Sequence, residues 1–183
     1  RDDGAILVHL DHRVAHMVAI LLDEIFGPGD RDPGGDAPGF RNEIIWSYGL
    51  GGSSSRFYPR KHDTILWYTK GTTWTFEAPR VPARSNRMRG ETKKQPDVWD
   101  VPSINNMAKE RTGYPTQKPL ALLEPLVLAH TKRGDLVIDP YCGSGTTLVA
   151  GAKHGRRVIG IDASKEAVQI ARKRLAEIPP ALF

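Results

Sequence analysis

The sequence has a single cysteine, Cys142, which excludes an internal disulfide and a zinc site built from several cysteines. It contains no uninterrupted stretch of roughly 20 apolar residues, so no membrane span is predicted. It also lacks the charged and then apolar start of a secretory signal peptide. Together these absences predict a soluble protein in a reducing compartment, the cytoplasm.

The composition that is present predicts a folded domain with a polyanionic partner. Hydrophobic residues make up 39% of the 183 residues and charged residues 26%, proportions that exclude a disordered chain. The formal net charge is +5, and the basic excess is concentrated in residues 41–94, where eleven Lys and Arg face four acidic residues for a local +7. Such a basic stretch is compatible with nucleic-acid binding.

Hydrophobic patterning divides the chain into two contrasting parts. Residues 5–10 predict a buried strand, and Asp11 is expected to cap a helix that runs to about Phe26. Residues 43–48 and 64–69 predict further strands. Residues 71–95 are polar and interrupted by proline, so no regular structure is predicted there. The last third alternates as helix 119–130, strand 135–139, helix 145–154, strand 157–162 and helix 164–178, which predicts a βαβα unit with parallel strands.

The turn after the strand 135–139 carries the most specific pattern. The strand ends in Asp139, the turn places Gly143 and Gly145 before a helix, and the next strand ends in Asp162. Glycines let a ligand approach the backbone, and a carboxylate at the second strand end can bind two ribose hydroxyls. The pattern therefore predicts a nucleoside-containing ligand.

Two common nucleotide motifs fit this turn poorly. A phosphate-binding P-loop requires lysine after the last glycine, whereas Gly145 is followed by Thr146. A dinucleotide fingerprint requires a third glycine at the position that Leu148 occupies.

The stretch Asp139-Pro-Tyr-Cys-Gly-Ser-Gly-Thr-Thr147 instead resembles the S-adenosylmethionine motif of amino-methylating DNA methyltransferases, Asp-Pro-Phe-x-Gly-Ser-Gly-Thr-Thr. Tyr114-Pro-Thr-Gln-Lys-Pro119 is similar to motif X of the same family. Residues 4–11, 42–46 and 61–70 resemble segments of its catalytic half. The order of these stretches is that of the β-type, permuted members.

This resemblance implies a fold and an organisation. The expected fold is an α/β, Rossmann-like methyltransferase domain with a mostly parallel sheet and helices on both faces. Residues 1–70 would be the remainder of the catalytic half, residues 71–113 the basic target-recognition insertion, and residues 114–183 the cofactor-binding half, all within one domain.

The resemblance also implies an activity. The expected function is a site-specific DNA methyltransferase that modifies an exocyclic amino group, adenine-N6 in preference to cytosine-N4. It would serve restriction–modification or epigenetic marking in a prokaryotic cytosol, or be phage-encoded. A non-catalytic, methyltransferase-like DNA-binding subunit is the main alternative. An enzyme that methylates RNA or a small molecule is disfavoured by the basic insertion and by the set of motifs.

S-adenosyl-L-methionine is the cofactor that the resemblance implies. The side chains and backbone expected to bind it are Thr116, Gln117, Lys118, Asp139, Tyr141, Cys142, Gly143, Ser144, Gly145, Thr146, Thr147 and Asp162. Cys142 is interpreted as a small residue that fills space rather than as the nucleophile of a cytosine-C5 enzyme, because it follows Tyr141 inside the cofactor turn.

One expected motif is absent from the sequence. Family members hold the target amine with an Asp/Asn/Ser-Pro-Pro-aromatic loop, but the only Pro-Pro pair here is Pro179-Pro180, which precedes Ala181. The catalytic residues are therefore unassigned. We expect N-terminal strands to be missing from this chain, to be completed by an upstream segment or a partner chain, and residues 1–183 alone to be inactive.

Double-stranded DNA is the expected substrate, and a restriction subunit is a possible further partner. The residues expected to contact DNA are Arg80, Arg84, Arg87, Arg89, Lys93 and Lys94, through phosphates and, for an arginine or two, guanine edges. The alternative is that this basic stretch is only a solvated loop.

Histidines suggest two further sites of unequal weight. His62 and Asp63 are assigned to the pocket for the target base by resemblance, although a hydrogen-bonded pair at a strand end explains them nearly as well. His12 and His16 share a helix face near His9 and Asp11, but no additional ligand cluster accompanies them. No metal site is predicted.

Overall fold

A computed structural model describes residues 2–29, 37–49, 53–83, 87 and 89–179 of the chain. They form two compact units, one within residues 1–102 and the other within residues 103–183. Within the described residues, none of the helices has the length and apolar character that crossing a membrane requires.

The first unit consists of one long helix, a four-stranded sheet and a small hairpin. Its elements in chain order are β1 (Ala5–Leu10), α1 (Ala15–Phe26), β2 (Gly39–Ser47), β3 (His62–Thr69), β4 (Arg80–Pro82), β5 (Thr92–Lys94) and β6 (Val98–Asp100). The second unit contains α2 (Leu120–His130), β7 (Leu136–Asp139), α3 (Thr146–Lys153), β8 (Arg157–Gly160) and α4 (Lys165–Ala176).

The main sheet of the first unit has the order β1-β3-β2-β6. β3 runs antiparallel to both β1 and β2, whereas β2 runs parallel to β6. β1, β2 and β6 therefore share one direction and β3 opposes them. In the second unit β7 and β8 pair in parallel, with α3 between them in sequence, as the βαβα pattern predicts.

The core of the first unit lies between α1 and one face of its sheet. Leu22 of α1 packs with Leu66 and Tyr68 of β3, all three buried. The hydroxyl of Tyr68 donates to a carboxylate oxygen of Asp23 at 2.6 Å and also contacts the carbonyl of Ala19. These bonds satisfy a polar group inside an apolar contact, so they fix the helix on the strand.

The predicted N-cap of α1 is wrong by three residues, because the cap is Val14 and not Asp11. The helix begins at Ala15, and Asp11 lies in the turn before it. The Asp11 carboxylate accepts the backbone N–H of Arg13 at 2.8 Å, and its carbonyl accepts the N–H groups of Val14 and Ala15. Asp11 thus forms a turn that its own side chain stabilises. Such side-chain bonds to the backbone are a local alternative to helical hydrogen bonding.

The expectation that residues 71–95 lack regular structure is also corrected. β4 and β5 form a two-stranded antiparallel hairpin, with Arg80 opposite Lys94. The Arg80 guanidinium donates to the hydroxyl of Thr92 at 2.8 Å and to its carbonyl at 2.7 Å. Strands of three residues are too short for periodicity to predict, and here a side chain joins them.

Candidate functional site

The turn between β7 and α3 has the backbone conformation that its glycines imply. Gly143 and Gly145 have φ of 50° and 77°, in the left-handed region that other residues avoid. The N–H of Gly145 donates to the carbonyl of Cys142 at 2.7 Å, and α3 begins at the next residue. The first backbone N–H groups of α3 therefore lie at the end of β7, as a ligand-binding turn of this type requires.

Gly145 is also confined by its packing. A Cβ at this position would lie 2.7 Å from Cβ and 3.0 Å from Cα of Ala171 in α4. A Cβ at Gly143 would lie 3.2 Å from the ring of Tyr114. The turn is therefore in close contact with α4 on one side and with the segment before α2 on the other, both within the second unit.

Asp162 joins the second strand end to this turn. One of its carboxylate oxygens accepts the N–H of Gly143 at 2.8 Å, and the other accepts the N–H of Ser164 at 2.9 Å. These bonds from Ser164 and Gly143 hold the pKa of Asp162 below its ordinary value, so the carboxylate is ionised at neutral pH. The structure brings the predicted acid and the predicted glycine turn together.

The remaining residues of the turn differ in exposure. Asp139 accepts the N–H of Tyr141 at 3.1 Å, and the Tyr141 side chain is 89% exposed. Cys142 is buried, and its Sγ would lie 3.1 Å from a Cβ placed at Gly160. Burial, together with the charges of Asp139 and Asp162, raises the pKa of the Cys142 thiol, which favours the space-filling interpretation.

The segment that resembles motif X lies against the same turn. The hydroxyl of Thr146 donates to the carbonyl of Lys118 at 3.0 Å. Gln117 is directed into its own segment, where its amide accepts from Thr112 at 2.8 Å and donates to the carbonyl of Glu110 at 2.6 Å. Thr116 is exposed. The Gln117 side chain therefore stabilises the segment in which it lies.

Sequence reasoning missed Arg174 of α4. Its guanidinium donates to the carbonyl of Ser144 at 2.8 Å and to the hydroxyl of Thr146 at 2.9 Å. Ser144 and Thr146 are each only 3% exposed, whereas Thr147 is partly buried. An arginine in the last turn of a helix is ordinary in sequence, so no local pattern distinguishes it.

The described basic residues of the hairpin are exposed. They are Arg80, Arg87, Arg89, Lys93 and Lys94, and the Arg80 guanidinium is also bonded across the hairpin to Thr92. Arg84 lies outside the described residues. An exposed group of this kind is suited to contacts with phosphates.

A second cluster lies where β1 and β2 end and β3 begins. A carboxylate oxygen of Asp63 lies 3.0 Å from Nε2 of His9, within hydrogen-bond distance, and both side chains are mostly buried. The His9 ring meets Trp46 edge-on at 5.4 Å, and Trp46 in turn meets Tyr48 at 5.2 Å. Burial, aided by the carboxylates of Asp63 and Asp11, raises the pKa of Tyr48.

This cluster includes only one of the two residues predicted for a base pocket. Asp63 is part of it, whereas His62 begins β3 with an exposed side chain. His9, which the sequence suggested only as a metal ligand, is the residue that pairs with Asp63. Among the described residues, no group of three or more His, Cys, Asp or Glu side chains is arranged to hold a metal ion.

Comparisons with known proteins point to one family. The family model N6_N4_Mtase, described as DNA methylase, matches residues 1–173. The chain is 38% identical over 143 residues to the Type II methyltransferase M.HpaI of Haemophilus parainfluenzae, covering 74% of this chain and 45% of that protein. It is 32% identical over 152 residues to the DNA adenine methyltransferase YhdJ of Escherichia coli (strain K12), covering 74% and 52%.

A solved structure gives the same result for the fold. The crystal structure of the M1.HpyAVI–SAM complex superposes with a TM-score of 0.69 at 29% identity, over 96% of this chain and 76% of that one. The predicted Rossmann-like methyltransferase fold is thereby confirmed. The chain spans about half the length of the curated relatives it matches.

Proposed function

We propose, because the chain belongs to the N6_N4_Mtase family of DNA methylases, that the protein transfers a methyl group from S-adenosylmethionine to an exocyclic amino group of DNA. The observation that carries this proposal is the contact between Asp162 and Gly143, which brings an ionised carboxylate to the glycine turn. We favour adenine-N6 over cytosine-N4, in line with the relative in Escherichia coli that is named a DNA adenine methyltransferase.

The residues around the turn fit S-adenosylmethionine. The carboxylate of Asp162 retains acceptor positions for ribose hydroxyls beside its two backbone bonds. Gly143 and Gly145 give the turn its left-handed backbone conformation, and Thr116 to Lys118 with Asp139 to Thr147 would complete the site. Bound there, the cofactor would supply an electrophilic methyl group. The role of this chain is to orient it and to exclude water from it.

The amine acceptor and the DNA contacts are further parts of the proposal. No Pro-Pro-aromatic loop occurs in the 183 residues, so we propose that another segment or a partner chain supplies it. Residues 1–70, 71–113 and 114–183 would be the catalytic remainder, the target-recognition insertion and the cofactor half of one domain. We place the protein in the cytoplasm of a prokaryote, or of a phage host, with a restriction enzyme as a candidate partner.

Methyl transfer is the direct test of this function. The complete polypeptide in which these residues occur is incubated with DNA and S-adenosylmethionine carrying a labelled methyl group, and the nucleosides are separated by mass spectrometry. We expect label in N6-methyladenine or N4-methylcytosine. Label in 5-methylcytosine contradicts the proposal, and DNA binding without any transfer favours the non-catalytic DNA-binding subunit.

Asp162→Ala should weaken binding of S-adenosylmethionine roughly tenfold, the scale expected when a charged hydrogen-bond acceptor is lost. Calorimetry measures this affinity. Asp135→Ala is the matched control, because Asp135 accepts the N–H of Lys132 at 2.7 Å in the turn before β7, at the end of that strand away from the glycine turn. Its affinity should equal that of the wild type. Equal affinity for the Asp162 variant, or tighter binding of NAD, would refute the assignment.

We also propose that the cluster of His9, Trp46, Tyr48 and Asp63, with His62 beside it, lines the pocket for the target base. The carboxyl ends of parallel strands are where such sheets bind ligands, and β1 and β2 both end here. Aromatic edges and a hydrogen-bonding pair are suited to a flipped base.

Asp63→Asn should raise the KM for DNA several-fold and leave the affinity for S-adenosylmethionine unchanged, because only the base pocket loses its charge. Steady-state methylation at varied DNA concentration measures this. Asp2→Asn is the control, since Asp2 pairs with Lys70 at 3.2 Å just beyond the opposite end of β3. A KM for DNA that does not change would leave Asp63 as a strand-end pair with His9 only.

A further inference from the structure

Arg174 occupies an unusual position for a basic residue. It lies in the last turn of α4, yet its Nη1 reaches three oxygens at the start of α3: the carbonyl of Ser144 at 2.8 Å, the hydroxyl of Ser144 at 3.3 Å and the hydroxyl of Thr146 at 2.9 Å.

The start of α3 is electrostatically unfavourable for a cation, although the last turn of α4, where Arg174 lies, favours one. The N-terminus of a helix is its positive end, so a guanidinium beside the start of α3 is not placed there to stabilise the helix. Burial lowers the pKa of Arg174, an effect that the charges of Glu110 and Glu177 partly offset. Because burial and the positive end of α3 both disfavour the guanidinium charge, we infer that Arg174 has a role that depends on its hydrogen bonds.

The hydrogen bonds of Arg174 determine the direction of one proton. A guanidinium has donors only, so the oxygen of Thr146 must accept from it. The single proton of the Thr146 hydroxyl is then left for the carbonyl of Lys118, 3.0 Å away. Arg174 in this way connects α4, the start of α3 and the segment before α2 through one hydroxyl group.

We propose that Arg174 is a positioning residue of the cofactor site. It acts through Ser144 and Thr146 to hold the glycine turn and the Thr116–Lys118 segment in one arrangement before the ligand binds. Preorganisation of this kind strengthens binding because the ordering cost is met during folding. The inference rests on the proposed function, since it takes S-adenosylmethionine as the ligand of this turn.

Arg174→Ala should weaken S-adenosylmethionine binding to the complete polypeptide by roughly 10- to 100-fold, the range for hydrogen bonds that involve a charged group. Arg174→Lys should recover only part of the loss, because an ammonium cannot reproduce the planar geometry. Arg172→Ala is the matched control: Arg172 lies on the same helix with an exposed side chain, and its removal should leave the affinity unchanged. Calorimetry gives the affinities, and thermal unfolding confirms that each variant is folded.

A double-mutant cycle separates positioning from general stability. Thr146→Val removes the hydroxyl without altering α4, and Thr146→Ser restores it. If Arg174 acts through Thr146, Thr146→Val should weaken binding and Thr146→Ser should not, and the double variant should lose less than the two single losses combined. If Arg174→Ala does not fold, Arg174→Lys takes its place in the cycle.

The outcomes distinguish this inference from the function on which it rests. A wild-type protein that does not bind S-adenosylmethionine overturns the proposed function, and the inference with it. A wild type that binds, together with a folded Arg174→Ala or Thr146→Val variant of equal affinity, overturns the inference alone.

Discussion

Replacing Arg89, Lys93 and Lys94 with glutamine should lower DNA affinity on the order of a hundredfold near 0.1 M salt and reduce the log–log salt slope by roughly 2.7. The three side chains are exposed on β5 and in the turn before it. Each phosphate contact contributes about 0.9 to the slope through counterion release, which gives the expected value if all three touch phosphates. Arg80 is left in place because its guanidinium stabilises the hairpin through Thr92.

Fluorescence anisotropy on a labelled duplex at several salt concentrations measures both quantities. The charge-matched control replaces Lys132, Lys165 and Lys173 with glutamine, three exposed lysines of the second unit. It removes the same net charge, so it corrects for long-range attraction that does not depend on contact. Equal slopes for the hairpin variant and the wild type would mean that the hairpin is a solvated surface.

The glycine turn could be predicted from the sequence because its determinants are local. Positions 143 and 145 have a positive φ, which favours glycine whatever the neighbouring residues are. Asp162 lies two residues beyond β8, which pairs in parallel with the strand ending in Asp139, and parallel strands bring their carboxyl ends together. The residues of such a motif therefore determine most of its geometry by themselves.

The features that were missed depend on contacts between distant segments. His9 meets Asp63 across 54 residues, and Arg174 meets Ser144 across 30. β6 is a strand only because it pairs with β2, where its Trp99 is buried beside Trp46. Contacts between such distant residues produce no hydrophobic period and no fixed residue spacing in a single sequence. They are seen only in the folded chain.

Gly145→Ala should destabilise the protein by roughly 2–5 kcal/mol, through a conformational and a packing contribution. The left-handed φ of 77° costs about 1–2 kcal/mol for a residue with a Cβ. Overpacking adds about 1–3 kcal/mol, because the new Cβ would lie 3.0 Å from the backbone Cα of Ala171. Backbone of a helix cannot rotate away as a flexible side chain can.

Gly134→Ala separates the two contributions. Gly134 has a similar φ of 86°, but a Cβ there meets nothing within 4 Å, so only the conformational cost of about 1–2 kcal/mol applies. Urea unfolding of both variants gives the difference, which is the packing contribution of the contact between the turn and α4. Because this contact places the turn, Gly145→Ala should also reduce S-adenosylmethionine binding, whereas Gly134→Ala should not. Equal losses of stability in the two variants would show that the turn is not held by α4, and the requirement for glycine at position 145 would then be conformational alone.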